Sequence, residues 1–242
     1  MKAFASIAVF AAAGTLAGCS MGFDAEGVPL DELDLTGEAP TEVALLGPDK
    51  VIITEGTPFR VTAEGEGADK LRFSLDNGTL GVSRESAMWG SGGSDKPATV
   101  RITMPAPRSL TLVGSGRMTS SAMASDAEVS VAGSGTLEAP QIAASQLDVS
   151  IAGSGDFLAG GQVDQLTVSI AGSGNARMEK LKAGKAEVNI MGSGDVAFAS
   201  DGEVQANIMG SGNVTVTGSA RCTSKKMGSG SVRCQPAAEP VQ

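Results

Sequence analysis

The chain contains no histidine and no tyrosine, and aromatic residues make up only 3% of its 242 positions. Without imidazole there can be no Ser-His-Asp or Cys-His nucleophile, no histidine general base and no histidine-ligated metal. Cysteine is nearly as scarce, with three residues, too few with no histidine for a Cys/His zinc site. Basic residues are outnumbered, 18 against 27 acidic, and form no cluster, so the net charge of −9 argues against a nucleic-acid partner. Hydrophobic residues reach 41%, enough to build a core and too many for a disordered chain. The length suits one large all-β domain or two smaller ones. Glycine is in excess: 33 residues, about 14% against a usual share near 7%.

Residues 1–18 read as a secretory signal peptide. Lys2 precedes an apolar stretch, Ala3 to Leu16, too short for a stable membrane span. The stretch ends in Leu16-Ala17-Gly18-Cys19, which resembles a bacterial lipobox. That resemblance implies a diacylglycerol thioether on Cys19, cleavage before it and acylation of the new amino terminus, with the membrane as partner through this anchor. A plain signal peptide with a chance cysteine is the alternative. Ser20 stands where an inner-membrane lipoprotein would carry Asp, so the expected destination is the outer membrane. From Ser20 to Asp49 there are eight acidic residues and no basic one, and residues 19–42 read as the lipidated cysteine followed by an extended, self-repelling tether. Asp31, Glu32 and Asp34 lack the spacing of a calcium loop.

The glycines recur at a period. Gly-Ser-Gly begins at Gly114, Gly133, Gly153, Gly172, Gly192, Gly210 and Gly228, in steps of 18 to 20 residues, with an off-period copy at Gly90. Two places before each of the first six stand Leu112, Val131, Ile151, Ile170, Ile190 and Ile208; four places before stand Leu110, Val129, Val149, Val168, Val188 and Ala206. Between them runs a small polar column, Thr111, Ser130, Ser150, Ser169, Asn189 and Asn207. Apolar positions also recur four and six places after each first glycine. This alternation describes strand, glycine turn, strand and a variable connection. A circuit of about 19 residues at ~3.3 Å each traces about 60 Å, one coil of a parallel β-solenoid. The glycines would supply the positive-φ corners, and the serines between them would stack in a column with the potential to hydrogen-bond along it. Tandem antiparallel hairpins are the rival, but two-residue hairpin loops favour Asn-Gly or Gly-Asn types. Parallel crossovers favour a right-handed coil.

Residues 109–235 are therefore expected to form the repeat solenoid, residues 43–108 irregular β first rungs or a cap, and residues 236–242 a disordered tail. In 43–108 the strand-like runs are Lys50–Ile53, Phe59–Ala63, Leu71–Leu75, Thr79–Ser83 and Thr99–Met104, with Asp76-Asn77-Gly78 a turn. Solenoid ends need caps. In the last repeat Ser224 and Lys226 replace inward apolar residues, and Cys222 and Cys234 sit six places either side of Gly228. Across one coil they would form a disulfide, which an oxidising compartment permits; reactive thiols or a metal pair are the alternatives.

The Gly-Ser-Gly turns followed by Asp or Asn, as in Gly153-Ser154-Gly155-Asp156, Gly172-Ser173-Gly174-Asn175 and Gly192-Ser193-Gly194-Asp195, resemble the head GIN domain family of autotransporter-adhesin-like envelope proteins. Asn77-Gly78-Thr79-Leu80 and Met104-Pro105 add to the resemblance, which covers residues 43 to 235. It implies an all-β, pectin-lyase-like single-stranded parallel β-helix with no established catalytic residues, no cofactor and an adhesive role. The polar column Thr111 to Asn207 is the candidate contact surface for a glycan or protein ligand, its alternative being a merely solvated face. A glycan-binding or polysaccharide-cleaving β-helix is the second reading. It would draw on Asp156, Asn175, Asp195 and Asn213, whose two aspartates lie two rungs, roughly 10 Å, apart, against the ~5–9 Å of a glycosidase pair. Arg117 and Arg177 stand near these turns but look isolated. The only tryptophan, Trp89, would bury in the cap or stack on a sugar. Lateral self-assembly is a third reading.

Overall fold

The computed structural model describes residues 27–85 and 96–235. The signal peptide, Cys19, Trp89, the Gly90 turn and the tail 236–242 lie outside the described residues. Among the described residues sixteen strands follow in order: β1 Glu42–Leu46, β2 Lys50–Glu55, β3 Arg60–Glu64, β4 Leu71–Asp76, β5 Thr79–Arg84, β6 Thr99–Met104, β7 Ser109–Gly114 and β8 Arg117–Ser120. Then come β9 Asp126–Gly133, β10 Thr136–Gly153, β11 Asp156–Gly172, β12 Asn175–Gly192, β13 Asp195–Gly210, β14 Asn213–Thr217, β15 Arg221–Met227 and β16 Ser231–Gln235. From β7 onward every pairing is parallel and joins strands one repeat apart, so the chain is a parallel β-helix.

The alternating pattern explains the interior. The columns Leu112 to Ile208 and Leu110 to Ala206 are all buried, as are Met118, Leu137, Phe157, Ala176, Val196 and Val214 beyond the corners. Phe157 and Phe198, on different rungs, supply the largest buried side chains of the regular coil. The connections expected between repeats are strand in the middle rungs: β10 to β13 run 16 to 18 residues from one glycine corner to the next. Inward residues continue through them, among them Ile142, Leu147, Val163, Leu166, Leu181 and Ala183, and β-bulges absorb the differences in repeat length.

The two glycines of each corner serve different needs. The first has positive φ, from 114° to 135°. A Cβ there would also press on the glycine carbonyl one rung earlier, at 2.1 Å in the case of Gly192 and the Gly172 oxygen. The third position shows no positive φ; there space is the constraint, since a Cβ on Gly194 would meet the Gly174 oxygen at 2.2 Å. Along the serine column it is the backbone N–H that bonds, Ser193 N donating to the Gly172 oxygen at 2.8 Å.

The first part of the chain is more regular than its sequence suggests, and its stacking order is not sequence order. β1 and β2 form a full rung beneath β7 and β8, turning at Gly47-Pro48-Asp49 in the place of Gly-Ser-Gly. Below that rung lie β5 and β6, parallel to β1 and β2 yet later in sequence. The antiparallel strands β4 and β3 close this end, with β4 and β5 joined through Asn77 and Gly78, both at positive φ. Part of the segment expected to be a tether packs on the fold. Val28 bridges Phe73 by backbone bonds of 2.8 Å in each direction, and Leu30, Leu33 and Leu35 pack against the core. Asp49, the last of the eight acidic residues, is buried: its carboxylate accepts from Arg84 Nε at 2.7 Å, Arg84 Nη2 at 2.6 Å and Ala98 N at 2.7 Å.

Candidate functional site

Thr111, Ser130, Ser150, Ser169, Asn189 and Asn207 stand directly above one another along β7, β9, β10, β11, β12 and β13. Their position between two buried columns turns them outward, Ser150 and Ser169 exposed and the others half-buried. The column ends on Lys225 of β15, in register with Asn207. Asn207 Nδ2 donates to Asn189 Oδ1 at 2.9 Å, and Asn189 Nδ2 donates to Glu187 Oε1 at 3.2 Å. To one side runs an acidic and polar column, Glu128, Asp148, Thr167, Glu187 and Gln205; to the other runs Ala132, Ala152 and Ala171, continuing into Met191 and Met209. The result is a sheet face whose central column is of short side chains with hydrogen-bonding groups at rung spacing.

The Asp156, Asn175, Asp195, Asn213 column is bonded along itself. Asn175 Nδ2 donates to Asp156 Oδ1 at 2.9 Å, Asn213 Nδ2 to Asp195 Oδ1 at 2.8 Å, and Ser231 Oγ to Asn213 Oδ1 at 2.7 Å. Backbone N–H groups join in, Asp195 N to Asn175 Oδ1 at 3.3 Å and Asn213 N to Asp195 Oδ1 at 3.0 Å. The alternation has a physical reason: an amide between two carboxylates donates to one and keeps like charges two rungs apart. The nearby arginines are not isolated. Arg117 pairs with Glu138, and Arg177 Nη2 lies 3.5 Å from Asp156 Oδ1, each partner one rung away. Such ladders lock rungs in register.

Other polar groups do similar work on the opposite corner. Asp201 accepts from Lys182 Nζ at 2.6 Å and from Ser219 N and Oγ at 2.9 Å each. The Lys182 ammonium, with these hydrogen bonds, holds its carboxyl well below the ordinary value. Among the described residues no three Cys, Asp or Glu side chains are grouped to hold a metal ion, and Asp34, of the acidic trio near the start, accepts instead from Thr36. At the end of the coil Cys222 and Cys234 are joined in a disulfide with Cα atoms 6.6 Å apart, opposite Val204 and Val216 of the preceding rung. Cys222 is half-buried against the core, and Cys234 is exposed, on the last rung among the described residues.

These features define a glycine-cornered parallel β-helix with a plugged end and flat, polar sheet faces. Residues 39–220 match the family described as "Putative auto-transporter adhesin, head GIN domain", and the chain belongs to that family. Among solved structures it is similar to a "putative adhesin" from Bacteroides fragilis, with a TM-score of 0.73 at 18% identity over 81% of this chain and 93% of that one. A "putative adhesin" from Parabacteroides merdae aligns with a TM-score of 0.60 at 14% identity, covering 83% and 93%. A "putative lipid binding protein" from Parabacteroides distasonis gives 0.62 at 25% identity, covering 81% and 93%. No match was found among curated proteins.

Proposed function

We propose that the chain is a lipid-anchored protein of the cell envelope that works as a non-enzymatic scaffold, its β-helix presenting a sheet face for adhesion or binding. The observation that carries the reading is the in-register column Thr111 to Asn207. Six small polar side chains on adjacent rungs give a regular, flat surface suited to a glycan or an extended protein segment. Membership of an adhesin-like family supports it. Lipidation at Cys19 would place the anchor at the cap end. Eight peptide steps separate Cys19 from Gly27, where the described chain begins, a reach of at most about 30 Å. The cap would then sit near the outer membrane and the coil would extend away from it.

The aspartate ladder takes no catalytic part in this reading, because each carboxylate already accepts hydrogen bonds from the rung beside it. The test has two arms. Cys19→Ser should move the protein from the membrane to the soluble fraction, and protease shaving of intact cells reports whether the coil faces outward. Ser150→Arg with Ser169→Arg should abolish retention on glycan arrays or host matrix while leaving the melting temperature unchanged. Turnover of an acidic polysaccharide that is lost in Asp156→Ala or Asp195→Ala would overturn the non-enzymatic reading.

A further inference from the structure

The position one place before each corner glycine changes character along the coil. It is Val113, Ala132, Ala152 and Ala171 in the first four corners, then Met191, Met209 and Met227 in the last three. The three methionines are in register, Met191 opposite Met209 and Met209 opposite Met227. They are 60%, 56% and 71% exposed, and among the described residues they are the exposed large hydrophobics. A face selected only for apolar contact would draw on Leu, Ile or Phe as well. Here every such side chain is a thioether and all share one column.

We propose that Met191, Met209 and Met227 form a binding site for a soft monovalent metal ion, Cu(I) or Ag(I). Thioether sulfur is a soft ligand that selects such ions. The rung spacing suits them: neighbouring strands lie ~4.8 Å apart, close enough for thioethers on adjacent rungs to share one ion. Three rotatable bonds per side chain let the third sulfur close on the same ion. The methionines line an open groove of about 390 Å3, whose other walls include Asn189, Asn207, Lys225 and Lys226. No carboxylate lines it, and the Asn207 amide is already bonded to Asn189. A hard dication therefore meets two ammonium groups with no anionic oxygen to offset them, while a soft monocation feels half that repulsion and gains three neutral sulfur ligands. This site does not depend on how the chain is anchored; it shares Asn189 and Asn207 as walls with the polar column, but its three sulfur ligands lie outside that column.

The experiment uses the full chain with its disulfide intact and Cys19→Ser, so that no free thiol competes. Methionine methyl groups are labelled with 13C, and silver nitrate is titrated in chloride-free buffer while methyl resonances are followed. Saturable shifts at Met191, Met209 and Met227, with buried Met118 and Met178 unmoved and no response to calcium or zinc, are expected. Met209→Leu, which removes the sulfur shared by both neighbouring pairs, should weaken binding at least tenfold with an unchanged melting temperature. Met191→Leu and Met227→Leu should each cost less. Absence of shifts at the three methyls, equal shifts at the buried methionines, or wild-type affinity in Met209→Leu would overturn the proposal.

Discussion

Replacing Asp49 by Ala should destabilise the cap more than any surface change. The Asp49 side chain is 0% exposed and that of Arg84 13%, and the carboxylate takes three donors: two from the guanidinium and one from the Ala98 amide. Ala98 is itself fully buried. Asp49→Ala removes the anion facing Arg84 and leaves the Ala98 N–H without its acceptor. Truncating one partner of a buried pair costs about 3–5 kcal/mol, of which the stranded amide accounts for about 1–3 kcal/mol. Arg84→Met should be comparably harmful, because it buries the carboxylate beside an apolar side chain. The double variant removes both charges and retains mainly the amide penalty, so it should be milder than either single change. Urea unfolding followed by far-UV circular dichroism measures all three, and hydrogen exchange at Lys50 and Arg117 localises the loss. Those amides donate to Ala98 O and Asp49 O, the bonds that tie the cap to the coil. A single-variant loss below about 1 kcal/mol, against the 3–5 kcal/mol of a broken buried pair, would refute the argument. So would a double variant whose loss equals the sum of the two.

Gly192→Ala should lose about 1–3 kcal/mol from its φ of 135° alone, and more from a Cβ 2.1 Å from the Gly172 oxygen; Gly37→Ala, with open space around it, should leave the thermal midpoint unchanged. The Asp201 contacts should depend on pH in a set direction. The folded carboxyl is held below its ordinary value of 3.8, so its contribution is complete above that value and fades as pH falls through the lower folded one. The stability gap between the native chain and Asp201→Asn should therefore shrink under acid; a gap constant from neutral to strongly acidic pH would contradict this. Reducing the Cys222–Cys234 bond, which spans 12 residues, should cost about 2–3 kcal/mol, read as earlier loss of hydrogen-exchange protection in β15 and β16 than in β11.

Much of the candidate face is legible in the chain before folding. In the repeats, two-residue alternation assigns each side chain to the inside or the outside, and recurring glycines assign the corners, so Thr111 to Asn207 reads as an outward column. The methionine column was equally present one place before the glycines. It escapes a reading centred on the inward positions, because three methionines 18 residues apart look unremarkable until they are stacked.

Periodicity is a local property, and it is sufficient for the all-β coil, its corners and the cysteines that face each other across its last turn. Pairing order in the first hundred residues is not local. Alternation tells which face of β1, β2, β5 and β6 is buried, but any of them satisfies its edges equally well against several neighbours. Only the closed packing puts β5 and β6 beneath β1 and β2. The fate of charge is decided there too. Asp49 reads as the last acid of the run that starts at Asp24, and it becomes a buried anchor because Arg84 and the Ala98 amide, 35 and 49 residues away, arrive to bond it. Asp156 and Asp195 likewise read as free turn carboxylates, and the fold brings the amides of Asn175 and Asn213 to bond them. In each case the free energy of a polar group is set by the partners that burial supplies, and those partners come from distant parts of the chain.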